Sequence, residues 1–434
     1  MGPGNAHNSS ADQQHPTEAK STGRSKEFTR TALFAMVGAW FGFLFGPNAM
    51  VSATNSNFLN VLPDALGVSR TAVSGVLATS VWIVALCVPI AGRQMDRFGI
   101  RRIILPGIIL FGCAFLALSQ VKVLWHFAVL QVLLAIPVAM NSSVGYAKLI
   151  SLWFDRNRGV VLGVCVAFGA GLGQAIMPKL SQYFIQNFGW SGGYMAIGLM
   201  ILLIGFPVIF LLARPPKSAE SAAGVASAIS ADSASETYGV TRAEALREPV
   251  FYLVFVAIMF ASMSLIGTMV QSVPMLTDRG VPVDMATTVL SLAFVGVMIG
   301  EFSAGFVVDR INSPKIVLPY FITALIGLMI IHSAGASPIL YVGAVMLGMG
   351  FGCEVGLNAY MISRYFGLKA FGSIYGLTFA ASNLGIGCGI FIFGLMRDLT
   401  GSYEIMRYII GGTMLTSIIC IALLPKFRYA PRKH

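Results

Sequence analysis

The chain has 434 residues, a formal net charge of +11, 56% hydrophobic residues and only 11% charged ones. A soluble domain carries about 25% charged residues, so most of this chain's surface is not water-facing. Its apolar residues run in stretches of about 20 with no ten-residue alternation, which excludes a barrel and leaves membrane-spanning helices, the other fold that satisfies every backbone group in lipid.

Residues 1–30 are polar, lack an apolar stretch with a cleavage site, and read as a disordered cytoplasmic tail. The hydropathy pattern then predicts helices at 31–52, 71–95, 102–119, 123–148, 158–183 and 190–213, forming a bundle over 31–213. Residues 214–248, rich in Ala and Ser, read as a cytoplasmic linker without a core of its own. Six more helices follow at 249–273, 285–308, 315–334, 337–362, 371–396 and 404–424, forming a bundle over 249–424, with a basic tail at 425–434. Gly is abundant at 47 residues, as helix packing in lipid favours small side chains.

Lys and Arg fall mostly on one side of this plan: Arg93, Arg97, Arg101, Arg102, Lys148, Arg310, Lys315, Arg364 and Lys369 are among them. The opposite side has Arg70, Lys122, Arg279, Arg397 and Arg407. The positive-inside bias therefore puts both termini in the cytoplasm of a cell (inner or plasma) membrane. The same bias accounts for the net charge without nucleic acid. The six Cys all lie in apolar runs and read as packing residues. No metal spacing, nucleotide loop or enzyme site is present, so no metal or cofactor is expected.

The two halves share a repeat. Residues 92–102 read GRQMDRFGIRR and residues 305–315 read GFVVDRINSPK, so Gly92, Asp96, Arg97 and Arg102 match Gly305, Asp309, Arg310 and Lys315 at one offset of 213. The same offset relates Gly159 to Gly372 and Gly163 to Gly376. One register across two separated loops argues for duplication.

This G-x-x-x-D-R loop, repeated between helices 8 and 9, resembles the signature of the major facilitator superfamily. Leu152-Trp153-Phe154, Arg158-Gly159, Phe188-Gly189-Trp190 and Arg364-Tyr365-Phe366-Gly367 are similar to the monocarboxylate transporter and oxalate/formate antiporter branch. The resemblance implies an all-α membrane fold of two pseudo-symmetric six-helix bundles. It implies a monomeric carrier, not an enzyme, whose halves rock about a mid-membrane site. Gly92, Asp96, Arg97, Arg101, Arg102, Gly305, Asp309 and Arg310 would then form a gate, with Asp96 able to accept the free N–H groups of a helix N-terminus.

Ionisable residues inside membrane helices cost about 2.5–3.5 kcal/mol or more and point to function. Glu301 on helix 8 and Glu354 on helix 10 are two such residues, able to carry a proton or to pair with a cationic substrate. Asn48, Asn141, Tyr146, Gln174, Asn358, Tyr360 and Asn383 supply neutral polar groups for a substrate site shared with both carboxyls. Lys148 and Lys179 are expected to snorkel to an interface. His126 and His332 are expected to be wet, at outer helix ends.

The chain departs from the branch at three places. A Lys expected directly after the helix 1 Pro is Asn48, an Arg expected four residues before the helix 8 motif Gly is Glu301, and helix 11 has no Lys between Phe371 and Met396. The expected function is proton-coupled uptake of a small organic solute, an organic acid or amphiphilic carboxylate by resemblance. The alternative is a proton-coupled exporter of amphiphilic or cationic compounds.

Overall fold

The computed structural model describes residues 29–154, 158–216, 239–308, 310–311, 313–367 and 369–429, without the side chains of 158–160. The tail over residues 1–28 and Asp309 lie outside this set. Almost all described residues are helical, as a bilayer demands of a polar backbone. The membrane helices are α1 (Arg30–Leu66), α2 (Arg70–Phe98), α3 (Ile100–Leu118) and α4 (Leu124–Trp153), then one apolar run, Val161–Leu212. That run turns at Gly189, where φ is 72° and ψ 174°. A Cβ is strongly disfavoured there. Gly189 therefore divides it into α5 (161–188) and α6 (190–212), where the hydropathy pattern expects a short loop. The second half contains α7 (Pro249–Asp278), α8 (Val283–Val308), α9 (Pro314–Ser333), α10 (Ile339–Phe366), α11 (Phe371–Thr400) and α12 (Glu404–Ala422).

Two helices of the first half are interrupted. Regular α-helix in α1 stops at Leu44, passes through a π-helical turn at Asn48–Ser52 after Pro47, and resumes at Asn55–Leu66. The hydropathy pattern ends this helix at residue 52, because Thr54, Asn55, Ser56, Asn57 and Asn60 dilute its last turns. Helix α4 is interrupted at Asn141 and Ser142, four residues beyond Pro137. A Pro denies the ladder one N–H and crowds the preceding turn.

Close backbone approach holds each half together. On α10, a Cβ at Gly348 would overlap the Ala293 carbonyl oxygen of α8, and one at Gly352 would overlap that of Val297. Gly385 and Gly389 of α11 abut the Met259 and Met263 carbonyls of α7 in the same way. Between the halves, α2 packs on α11, α5 on α8, and the end of α1 on α7.

The last residues before α7 are placed against the second half. The Val240 N–H donates to the Phe366 carbonyl at 2.9 Å. A one-turn helix, Arg242–Ala245, follows, with a reciprocal capping box between Thr241 and Glu244. Residues 217–238 of the expected linker lie outside the described residues, and its last stretch is held by these caps and by the buried end of α10.

Candidate functional site

The polar groups that bridge the helices fall into two sets. The first is a ladder within the second half. Glu354 is buried on α10, and its Oε1 accepts from the Ser262 hydroxyl of α7. Ser382 of α11 lies 2.6 Å from the Ser262 oxygen and donates to the same carboxyl oxygen at 3.5 Å. One turn on, buried Asn358 accepts from Thr378 of α11 at 3.1 Å. Glu354 and Asn358 are four apart, as are Thr378 and Ser382, so two helical faces meet rung by rung. The other oxygen of Glu354, Oε2, is buried without a hydrogen-bond partner.

Glu301 does not share this site. It lies at the α8–α10 contact, where a Cβ on Gly356 would come 3.6 Å from its Cγ. Glu354 points the other way, toward α7 and α11. The two carboxyls thus serve different faces of α10.

The first half supplies neutral counterparts. Asn141 matches Glu354 in the repeat (354 − 141 = 213) and Val88 matches Glu301 (301 − 88 = 213). Asn141 is buried, donates to the Pro137 carbonyl at 3.0 Å and accepts from the Tyr146 hydroxyl at 3.3 Å. Its amide thus satisfies the break in α4, and Tyr146 is wholly buried behind it. Asn48 is exposed at the break in α1, and Gln174 is half-buried on α5. Asn383 donates to its own helix at the Phe379 carbonyl, 2.9 Å away. Tyr360 lies near the end of α10, its ring against Phe427 and under the Arg364 guanidinium.

The second set joins the halves at the end of the molecule farthest from the termini. Asp278 of α7 receives Arg70 of α2 at 2.7 Å on one oxygen and Arg397 of α11 at 2.6 Å on the other. Arg70 also donates to the Tyr403 hydroxyl at 2.9 Å. The Thr71 N–H, in the first turn of α2, donates to Asp398 at 2.7 Å, and the helix dipole favours that carboxylate. Lys179 donates to the Asp284 carbonyl at 3.2 Å, so it clasps α8. Deeper, Gln271 of α7 donates to Ser74 of α2 at 3.1 Å, and the Val273 N–H donates to Ser56 of α1 at 3.0 Å. Sequence reasoning missed this clasp, since charges at helix ends look like ordinary loop residues.

At the termini end, the expected gate residues pair within their own halves. Asp96 binds Lys148 of α4 at 2.6 Å, not a helix of the other half, and Lys148 is thereby an ion-pair partner as well as an interfacial residue. Arg97 lies over the Phe98 ring and Arg310 over the Phe306 ring. Arg101 donates to the Phe210 carbonyl of α6 at 2.8 Å. A Cβ added to Gly92, Gly163, Gly305, Gly372 or Gly376 would meet nothing within 4 Å. These five glycines at this end are thus uncovered, while the far end is clasped. His332 is buried against Phe393 with Nε2 unpartnered, not wet as its place at a helix end suggests. Arg279 covers it by donating to the Ile331 and Ala334 carbonyls at 2.8 and 2.5 Å.

Two helical bundles clasped at one end, with polar groups buried among long apolar helices, define a multi-pass membrane carrier. The chain belongs to the Major Facilitator Superfamily, whose profile matches residues 32–390 and 250–433. It is 24% identical to the MFS transporter asaE of Aspergillus flavus over 89% of this chain and 84% of that protein. It is 25% identical to the gallate transporter of Pseudomonas putida over 75% of this chain and 80% of the relative. It is also 25% identical to monocarboxylate transporter 13 of Bos taurus over 78% and 77% of the two chains. Family and relatives are transporters, not enzymes.

Proposed function

We propose that this carrier takes up a small organic acid together with protons by alternating access, as a monomer in the cell membrane with both termini in the cytoplasm. The observation that carries the coupling is Glu354, a buried carboxyl held by Ser262 and Ser382 where α7, α10 and α11 converge. Burial favours the neutral form of a carboxyl, and water entering on one side lets the proton leave. The repeat supports a division of labour. The two carboxyls lie in the second half and their counterparts, Asn141 and Val88, cannot titrate. Relatives named for gallate and for monocarboxylates support the organic acid. The polar groups at the breaks in α1 and α4 would receive it, as interrupted helices do in other carriers. With both termini cytoplasmic, the clasped end is outside and the present conformation opens inward.

Proteoliposome uptake tests this reading. A labelled aromatic or aliphatic monocarboxylate should accumulate when the lumen is alkaline and stop accumulating when a protonophore is added. Accumulation indifferent to the pH gradient sinks the coupling. Transport of lipophilic cations, with no carboxylate transported, sinks the substrate class and favours an exporter.

A further inference from the structure

A groove of about 620 Å³ lies at the termini end of the first bundle, between the start of α3, the end of α4 and the end of α6. Arg101 and Arg102 stand at its rim, and Phe98, Leu105, Leu152 and Phe210 wall it. No acidic residue lines it among the described residues. The motif resemblance groups both arginines with the gate, yet α3 packs chiefly on α4 and α6, and α6 on α1 and α3, all in one half. Ile109 and Leu110 of α3 and Leu203 and Leu211 of α6 are exposed and apolar, as a bilayer-facing surface requires. The groove therefore opens to lipid, away from the cleft between the halves.

Its chemistry is graded along the membrane normal. Arg101 spends one donor on the Phe210 carbonyl and stacks on the Phe210 ring, with its centroid 5.2 Å away, which holds the guanidinium at the rim and leaves further donors free. Arg102 is exposed beside it. Leu105 lies one turn further toward the membrane interior. Two cations at headgroup level above an apolar wall match an amphiphile with an anionic head and a hydrocarbon tail. Arginine is suited to phosphate by its planar fork.

We infer that this groove is a binding site for one anionic glycerophospholipid, its phosphate on Arg101 and Arg102 and an acyl chain against Leu105 and Phe210. The site is separate from the transport pathway, so it stands or falls independently of the proposed substrate and coupling.

Native mass spectrometry of the purified full chain tests it, with dioleoyl phosphatidylglycerol and dioleoyl phosphatidylcholine offered in equal amounts. The wild type should retain one phosphatidylglycerol in preference to phosphatidylcholine. Arg102→Gln, at an exposed position, should lower that retention severalfold, and Arg101→Gln with Arg102→Gln should lower it about tenfold or more, as befits two basic contacts at an anionic surface. Equal retention of the two lipids, or retention by the double variant equal to wild type, overturns the site. Two further arms test the amphiphile. Millimolar inorganic phosphate should fail to displace the lipid, and dihexanoyl phosphatidylglycerol should bind more weakly than the dioleoyl form. Displacement by phosphate, or equal binding of the short and long chains, overturns the acyl contact.

Discussion

Arg70 and Asp278 come from opposite halves of the chain and meet at 2.7 Å with side chains only 17% and 19% exposed. Asp278 also holds Arg397, so one carboxylate binds two guanidinium groups and joins α2, α7 and α11. Removing its charge leaves two cations side by side in a half-dry place, which costs about 2 kcal/mol or more. Asp278→Asn should therefore move the conformational equilibrium roughly 30-fold toward opening at the far end. Spin labels at Asp64 and Glu404, exposed on the two halves near this clasp, should show a longer distance population in the variant. An unchanged distance distribution would mean that the apolar contacts, not the ion pairs, hold this end shut.

Glu354 separates coupling from stability. Glu354→Gln keeps an acceptor for the Ser262 and Ser382 hydroxyls, so its stability cost should stay below about 1 kcal/mol. Glu354→Ala strips both hydroxyls of that acceptor and should cost about 2–3 kcal/mol. Under the proposed mechanism, the Gln variant loses proton-driven accumulation and retains substrate exchange between equal concentrations. Thermal unfolding and counterflow measured on the same preparations decide it. Normal accumulation in the Gln variant moves the coupling role to Glu301 or elsewhere.

The membrane helices and their doubling were legible because lipid imposes long apolar runs and the offset of 213 repeats motif residues. The interruptions were less so. Thr54, Asn55, Ser56, Asn57 and Asn60 of α1 hide a helical stretch whose Ser56 and Asn60 bond to the other half. Glu354 was visible as an isolated carboxyl in an apolar segment. Ser262, Ser382 and Thr378 were not, since single hydroxyls in membrane helices usually bond their own backbone. The clasp at Asp278 depends on three helix ends meeting in space, which no local pattern records. His332 was misjudged for the same reason: its burial comes from Phe393 and Arg279, both distant in sequence.

The stretch before α7 should loosen in acid. The Thr241 backbone N–H and hydroxyl hold the exposed Glu244 carboxyl below the usual carboxylate range. A carboxylate lowered on folding adds stability above its unfolded pKa, and that contribution disappears as pH falls through the folded value. Hydrogen exchange of residues 240–246, corrected for intrinsic rates, should therefore rise between pH 7 and the acid side of the carboxylate range. Glu244→Gln should exchange faster than wild type at pH 7 and lose most of the pH dependence. Equal protection in wild type and variant at pH 7 would show that the Val240 contact to Phe366 alone secures this segment.

Glycines inside the bundles and at the termini end should respond oppositely to substitution. At Gly348 a Cβ would overlap the Ala293 carbonyl, so Gly348→Val forces α8 and α10 apart and should cost about 3 kcal/mol or more, against the usual 1–3 for overpacking. At Gly92 and Gly305 a Cβ meets open space, and the backbone there is ordinary helix. Leucine at either place removes no contact of this conformation and should leave the melting temperature unchanged or slightly raised, since Gly is a poor helix residue by about 1 kcal/mol. If these helices close against the opposite half when the far end opens, the added side chain obstructs that closure. Gly92→Leu with Gly305→Leu should then keep the fold, lose transport, and hold labels at Asp64 and Glu404 in the short-distance population. Full transport by the double variant would show that the termini end closes without bringing these two positions into contact.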